Sequence, residues 1–226
     1  MEVEAKLRTT RERVLDEIAE LRRLAGCSIR ALAMRELETL YLDTRQRDLT
    51  RAGIAFRVRK TGDGVELTIK LAGDATGAVH RRVELTWRRR RMPALQVRRL
   101  PPALRARIEP WTGRRPLVPL VGTRIRRLPL LVRRRGGAAP LAEIDLDRVR
   151  FFRPGAEHRP GGRSRPSYEV EIELLGGSES DLARLTRALT RRHPLRVARG
   201  SKLARALRWS AATAASATPR SRRARR

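Results

Sequence analysis

Asparagine is absent from this 226-residue chain, and lysine supplies only four of its 53 basic side chains, Lys6, Lys60, Lys70 and Lys202. The other cations are arginines, a pattern of GC-rich coding in which a solvated surface drifts from lysine to arginine. The formal charge of +29 therefore says less about a polyanionic partner than its size suggests. The same scarcity makes each lysine informative, because a guanidinium fork cannot replace a compact ammonium where a point charge must fit among oxygens. Cys27 is the only cysteine, which excludes a disulfide framework and a thiolate metal site. Aromatic side chains are few and do not interleave with the arginine runs "WRRRRM", "VRRRGG" and "RSRRARR", so base stacking on nucleic acid is poorly supported and these runs read as solvated loops. No apolar run is long enough to cross a bilayer, and the acidic start does not fit a secretory leader. A soluble, cytoplasmic chain with no membrane partner is expected. P-loop, GxSxG and Cys/His signatures are missing as well.

What the chain does have is alternation. In "MEVEAKLR", Glu2, Glu4 and Lys6 alternate with Val3, Ala5 and Leu7. Thr9-x-x-Glu12 has the form of a capping box, which predicts a helix from about Thr10 to Ala25. "ELETLYLDT" reads as a strand in which Tyr41 and Asp43 serve packing and turn. "GIAFRVRKTGDGVELTIKL" reads as a hairpin, with Arg57 and Arg59 on one face of its first arm and Glu66, Thr68 and Lys70 on one face of the second. "HRRVELTW" sets Arg82, Glu84 and Thr86 against Val83, Leu85 and Trp87. "PPALRARIEPW" predicts a short helix started and stopped by proline. "VGTRIRRLPLLVRRR" gives one or two strands with Arg124 and Arg126 sharing a face. "LAEIDLDRVRFF" places Glu143, Asp145 and Asp147 together, and "YEVEIELL" repeats the opening pattern with Glu169, Glu171 and Glu173. A second helix starts near Ser178 with Asp181 at the capping-box position and stops at His193-Pro194. The three histidines, His80 among them, lack metal spacing and read as surface or loop residues.

At least six strands thus carry ionisable residues on one face and Val, Ile, Leu, Phe or Trp on the other. A sheet with one wet face, or a closed barrel with charges lining its lumen, satisfies this. About three helices for about eight strands would leave an open sheet with bare edges, so closure is favoured. Charges in a lumen must pair with one another or with a ligand. Carboxylates without thiol or imidazole partners suit a hard cation such as Mg²⁺ or Mn²⁺, and clustered Arg and Lys suit phosphate oxygens. A site holding both suits a metal-bound polyphosphate.

The ordered series Glu2-x-Glu4-x-Lys6, Arg57-x-Arg59, Thr68-x-Lys70, Arg82-x-Glu84, "TRIRR", Glu143-x-Asp145, "EVEIEL" and Ser201-Lys202 resembles the CYTH superfamily of triphosphate tunnel metalloenzymes, over roughly residues 1 to 208. That resemblance implies an α+β, mainly β fold: an eight-stranded antiparallel closed barrel with helices packed outside, over 1–209, followed by a disordered basic tail over 210–226. It implies hydrolysis of a triphosphate-containing small molecule with Mg²⁺ or Mn²⁺. Lys6, Arg57, Arg59, Lys70, Arg82, Lys202 and one of Arg124 and Arg126 would hold phosphates. Glu2, Glu4, Asp145, Glu169 and Glu171 would hold metal, with Glu84, Glu143 and Glu173 as further candidates. Lys6, Glu4 and Lys70 would take part in the chemistry, Lys6 by orienting water or by touching a phosphate. The histidine-phenylalanine pair of cyclase-like members has no counterpart before Glu2, and no aromatic clamp for a thiamine ring stands out, although Trp111 and Phe56 are available. Adenylate cyclase and thiamine triphosphatase remain alternatives within the enzyme class. A polyphosphate- or nucleic-acid-binding module without catalysis is the alternative outside it, with nucleic acid the less favoured ligand. Monomer and homodimer are both left open.

Overall fold

The opening alternation builds the first strand. In the computed structural model, which describes residues 2–91, 95–159 and 161–217, β1 (Glu2–Thr9) sends Ala5 and Leu7 into an outer apolar layer. Glu4 and Lys6 go to the opposite face, where they are also buried. There follow α1 (Arg13–Ala19), β2 (Arg23–Leu24), β3 (Cys27–Ala31), β4 (Arg35–Asp43), α2 (Asp48–Arg51), β5 (Ala55–Thr61), β6 (Gly64–Lys70), β7 (Asp74–Thr76), β8 (Val79–Arg82) and β9 (Glu84–Arg89). A 3₁₀ turn (Val97–Arg99), α3 (Pro102–Thr112), β10 (Val118–Arg134), β11 (Pro140–Phe152), β12 (Ser167–Leu174), α4 (Glu179–Arg192), β13 (Arg196–Val197) and α5 (Lys202–Ala217) complete the chain.

The strands pair in the order β7-β8-β1-β12-β11-β10-β4-β5-β6-β9, antiparallel throughout. β8 and β9 pair at opposite ends of this order, yet only Val83 separates them in sequence, and its carbonyl accepts from the Leu71 amide at 3.0 Å. The ring therefore closes through the chain itself. It contains nine strands rather than eight because "HRRVELTW" is not one strand: β8 pairs with β1 and β9 with β6. One bent segment thereby covers two edges that would otherwise be bare.

The outer faces form two apolar layers. In one, α1 and α4 lie over β1, β10, β11 and β12, with Leu15, Ile18, Leu182, Leu185 and Leu189 fully buried. In the other, Leu49 of α2 and Leu104 and Ile108 of α3 cover Phe56, Val58, Leu67 and Ile69. Each such side chain contributes about 1.5–3 kcal/mol by leaving water. α5 is placed differently. Its Leu203 and Ala206 pack against Tyr41, Val121, Ile125, Val149 and Phe151, which project from the inner side of β4, β10 and β11, so this helix closes one end of the barrel.

Local expectations fared unevenly. The Ser178/Asp181 capping box forms. The Thr9/Glu12 box does not: α1 starts at Arg13 and ends at Ala19, Thr9 accepts only from the Arg11 amide, and Glu12 is drawn to Arg148 and Tyr168. Pro110 lies inside α3, which ends instead at Gly113 with φ 56°. The disordered tail expected from Ser210 is corrected over its first residues, because α5 continues through Ala217. Alanine carries high intrinsic helix propensity and extends a helix already anchored by Leu203 and Ala206. Residues 218–226 of that tail lie outside the described residues.

Candidate active site

The barrel encloses a cavity of about 430 Å³ whose wall is mostly ionic. Its carboxylates are Glu2, Glu4, Glu84, Asp145, Glu171 and Glu173, and its cations are Lys6, Arg57, Arg59, Lys70, Arg82, Arg127 and Lys202. Strand register brings them together. Lys6 stands beside Glu171 and Glu171 beside Asp145 across β1, β12 and β11, and Glu4 stands beside Glu173. Tyr41, Ala55, Ile125 and Leu203 form an apolar wall at the α5 end.

Ion pairs organise the wall into two groups. Around β1, Arg82 bridges Glu2 at 3.0 Å and Glu4 at 2.7 Å, Lys6 lies 2.7 Å from Glu4, and Lys70 lies 3.2 Å from Glu2. Glu84 pairs with Arg57 at 3.0 Å and with Lys70. Burial works to raise the Glu2 pKa, but Lys70 and Arg82 outweigh it and hold the carboxyl at about 2. Near α5, Lys202 reaches Glu171 at 2.6 Å, Asp147 at 3.1 Å and Glu169 at 3.3 Å. Arg127 clasps Asp147 through two bonds of 2.7 Å, lies 3.1 Å from Glu171 and also meets Asp145. Burial opposes the charged ammonium of Lys202, yet Glu169, Glu171 and Asp147 raise its pKa; burial likewise opposes ionised Glu171, and Lys202, Lys6 and Arg127 pull it well below the ordinary range.

Three groups remain unbalanced. Arg59 donates to Thr39 at 3.2 Å and makes no salt bridge among the described residues; burial, then Arg57 and Arg127, depress its pKa to about 10, only partly offset by Tyr41 and Glu66. Glu173 makes no salt bridge among the described residues, and burial with Glu2 and Glu4 nearby raises it to about 7. Asp145 keeps one buried oxygen, Oδ1, without a hydrogen-bond partner, and burial, only partly offset by Arg127, raises it to about 8. The buried Nε of Arg57 is unpartnered too. The cavity thus offers unmatched guanidinium on one side and unmatched carboxyl groups on another.

Most of the residues singled out from the sequence lie in this wall, and four do not. Arg124 and Arg126 face outward, paired with Glu38 at 2.8 Å and Glu36 at 3.7 Å. The lumen arginine of "TRIRR" is Arg127. The reason is α5: the inner face of β10 carries Val121, Thr123 and Ile125 because that end of the lumen is packed, so its exposed arginines sit on the outer face. Glu169 is buried outside the cavity lining, held by Arg205 and Lys202. Glu143 stands opposite Glu173 in the register but outside the cavity lining. Asp147, which shares the Glu143/Asp145 face in the sequence, is fully buried between Arg127 and Lys202. Arg127 and Arg205 carry no signal in the strand alternation, whereas Tyr41, expected to pack, does so against Leu203 at the α5 end. His80, expected at the surface, is half-buried opposite Glu4 with Nε2 enclosed and unpartnered; burial and then Lys6 lower its pKa.

A hard cation fits the donor chemistry, since Glu173 and Asp145 are oxygen ligands lacking full compensation. No three acidic, histidine or cysteine side chains converge as a preformed cage among the described residues. No described helix is long and apolar enough to cross a membrane.

Comparison places this architecture among known proteins. A Hippeastrum candidate adenylyl cyclase, HpAC1, described as revealing a dominant triphosphatase activity, superposes with TM-score 0.67 at 18% identity over 93% of this chain and 96% of its own. A candidate adenylate cyclase from Bacillus halodurans gives 0.51 at 14% identity, covering 91% and 96%. The Mimivirus capping enzyme triphosphatase gives 0.50 at 11% identity, covering 84% and 89%. No curated protein matches the sequence. The sequence profile of the CYTH domain matches residues 1–207, and with its strand ring closed around an ionic lumen the chain belongs to the CYTH domain family.

Proposed function

We propose that the lumen binds a triphosphate together with Mg²⁺ or Mn²⁺ and hydrolyses its terminal phosphoanhydride bond. The observation that supports this most directly is Arg59, a largely buried guanidinium in the cavity wall with no salt bridge among the described residues, repelled by Arg57 and Arg127 more than Glu66 attracts it. Such a group is stabilised by an anion entering the cavity. Arg57, Arg59, Lys70 and Arg127 would take phosphate oxygens by charge-assisted bonds. Arg82 and Lys202 complete the cationic wall; like Arg57, Lys70 and Arg127 they also pair with carboxylates. Glu2, Glu4 and Glu173 would hold the cation, with Asp145 in reserve; when bound, it supplies Lewis acidity toward the phosphate oxygens.

Phosphoryl transfer asks little covalent chemistry of a protein and much positioning and charge neutralisation. Water oxygen bonds to the terminal phosphorus as the bond to the bridging oxygen breaks, giving orthophosphate and, from tripolyphosphate, pyrophosphate. Glu4 and Lys6, 2.7 Å apart and buried, form an ion pair suited to orienting that water. Incubation with tripolyphosphate, ATP, thiamine triphosphate or pyrophosphate and either metal should release orthophosphate from at least the first. Lys6→Ala and Glu4→Gln should abolish release in folded protein. Cyclic AMP as sole product, or salt-dependent nucleic-acid retention without turnover, would reverse the assignment.

A further inference from the structure

Outside the lumen, one structural unit gathers a dense group of exposed cations. Between Arg88 and Pro116 there are ten arginines and a single acid, Glu109. Within the described part of that segment, Arg88 to Arg91, Arg98, Arg99, Arg107, Arg114 and Arg115 are exposed, and Arg105 is half-buried. The segment is a cap: Val97, Leu100, Leu104 and Ile108 anchor it on the outer faces of β5 and β6, so its cations turn to solvent. Carboxylates answer few of them. Arg88 lies 3.7 Å from Glu66, Arg105 3.7 Å from Glu109 and Arg115 3.3 Å from Asp48. Arg89, Arg90, Arg91, Arg98, Arg99, Arg107 and Arg114 have no salt bridge among the described residues.

The register connects this cap to the cavity. Arg59, which lines the lumen, stands opposite Glu66 on β6, and Glu66 stands opposite Arg88 on β9. Arg88 is 86% exposed in its side chain, so the row Arg59–Glu66–Arg88 runs from the lumen wall to the rim and continues along the chain into Arg89, Arg90 and Arg91. Glu66 is the one opposing charge on the row, and Arg88 lies over it.

We propose that this cap is a docking surface for the chain of long inorganic polyphosphate whose end occupies the lumen. The proposal rests on the phosphoanhydride reading of the lumen and extends it to a substrate class. Charge selects a polyanion, and the absence of aromatic interleaving selects among polyanions. Single-stranded nucleic acid is held by stacking as well as by phosphate contacts, and among the described residues of the cap Trp111 is the only large aromatic that is exposed. Polyphosphate has no bases to stack, no sugars to space its charges, and a terminus of the same chemistry as tripolyphosphate. Each turnover would join water oxygen to the terminal phosphorus, release orthophosphate and leave the chain one phosphate shorter, still held by the cap.

The test combines Arg89→Gln, Arg90→Gln, Arg91→Gln, Arg98→Gln and Arg99→Gln, all outside the cavity wall, in the full chain, with thermal melts confirming folding. KM for long-chain polyphosphate should rise about tenfold and its dependence on salt should flatten, since each lost phosphate contact removes a released counterion. kcat/KM for tripolyphosphate should not change. An unchanged long-chain KM, or an equal loss on both substrates, overturns the proposal. Binding of fluorescently labelled polyphosphate, measured without metal, reads the cap even when no hydrolysis occurs. Lost turnover with retained, cap-dependent binding would sink the lumen assignment alone. Single-stranded RNA binding as tightly as polyphosphate and weakened by the same substitutions would make the partner a nucleic acid and overturn the choice made here.

Discussion

Replacing Arg59 should make the ligand-free protein more stable while making it a worse enzyme. Its guanidinium is buried beside Arg57 and Arg127 with only Thr39 as hydrogen-bond partner. A pKa lowered from 12.5 to about 10 corresponds to a penalty on the charged form of order 3 kcal/mol, as an upper bound. The sign follows from linkage. Below pH 10 the group is charged in both folded and unfolded chains, so the penalty is fully present at neutral pH and fades only as pH rises from about 10 toward 12.5. Arg59→Gln removes the charge and keeps a polar end for Thr39. Allowing for lost packing, about 1 kcal/mol of stabilisation should survive, raising Tm by about 2–4 °C. A charged hydrogen bond to phosphate is worth about 1.5–3 kcal/mol, so kcat/KM for tripolyphosphate should fall by roughly one to two orders of magnitude. Tripolyphosphate should also raise the Tm of the original protein more than that of the variant. The assays are thermal melts with and without ligand and initial-rate phosphate release. A variant that melts lower, keeps its ligand-induced shift and turns over normally would show that Arg59 is not waiting for an anion.

Further outcomes concern the rest of the wall. Glu173 and Asp145 have pKa values raised to about 7 and about 8, so the stability they contribute is present at low pH and lost as pH rises through those values. Melts without metal should show the protein weakening as pH rises from the ordinary carboxyl values of 4.5 and 3.8 toward about 7 and about 8 and levelling off above them, and added Mg²⁺ should reduce the loss; a flat profile would count against both groups being uncompensated. Lys202→Met leaves Asp147, Glu169 and Glu171 facing one another and should cost about 3–5 kcal/mol by denaturant titration; a smaller loss would mean the network relaxes. Arg124→Ala combined with Arg126→Ala should leave phosphate release unchanged, because both side chains lie outside the barrel. Lost activity in that variant would place them in the lumen after all.

Strand parity was legible in the sequence wherever charge fell on one face only. Glu2, Glu4 and Lys6 against Ala5 and Leu7, and Arg57 and Arg59 against Phe56 and Val58, allow one orientation, because the apolar set must leave water. From those faces followed the ionic interior and the family. "TRIRR" was not legible in the same way. It puts arginine on both faces, so period-2 alternation cannot choose between Arg124 with Arg126 and Arg127.

The sequence by itself determined that the strands are ionic on one side and apolar on the other, since that pattern is local and burial of the apolar side is obligatory. Only the tertiary structure decided how far the ionic interior extends. α5, a helix distant in sequence from β4 and β10, packs Leu203 against Tyr41 and Ile125 and makes that end of the lumen apolar, a long-range contact with no trace in the alternation of the strands it covers. The break at Val83 was equally a tertiary matter: one segment serves two edges because the ring has to close, and closure belongs to the whole sheet.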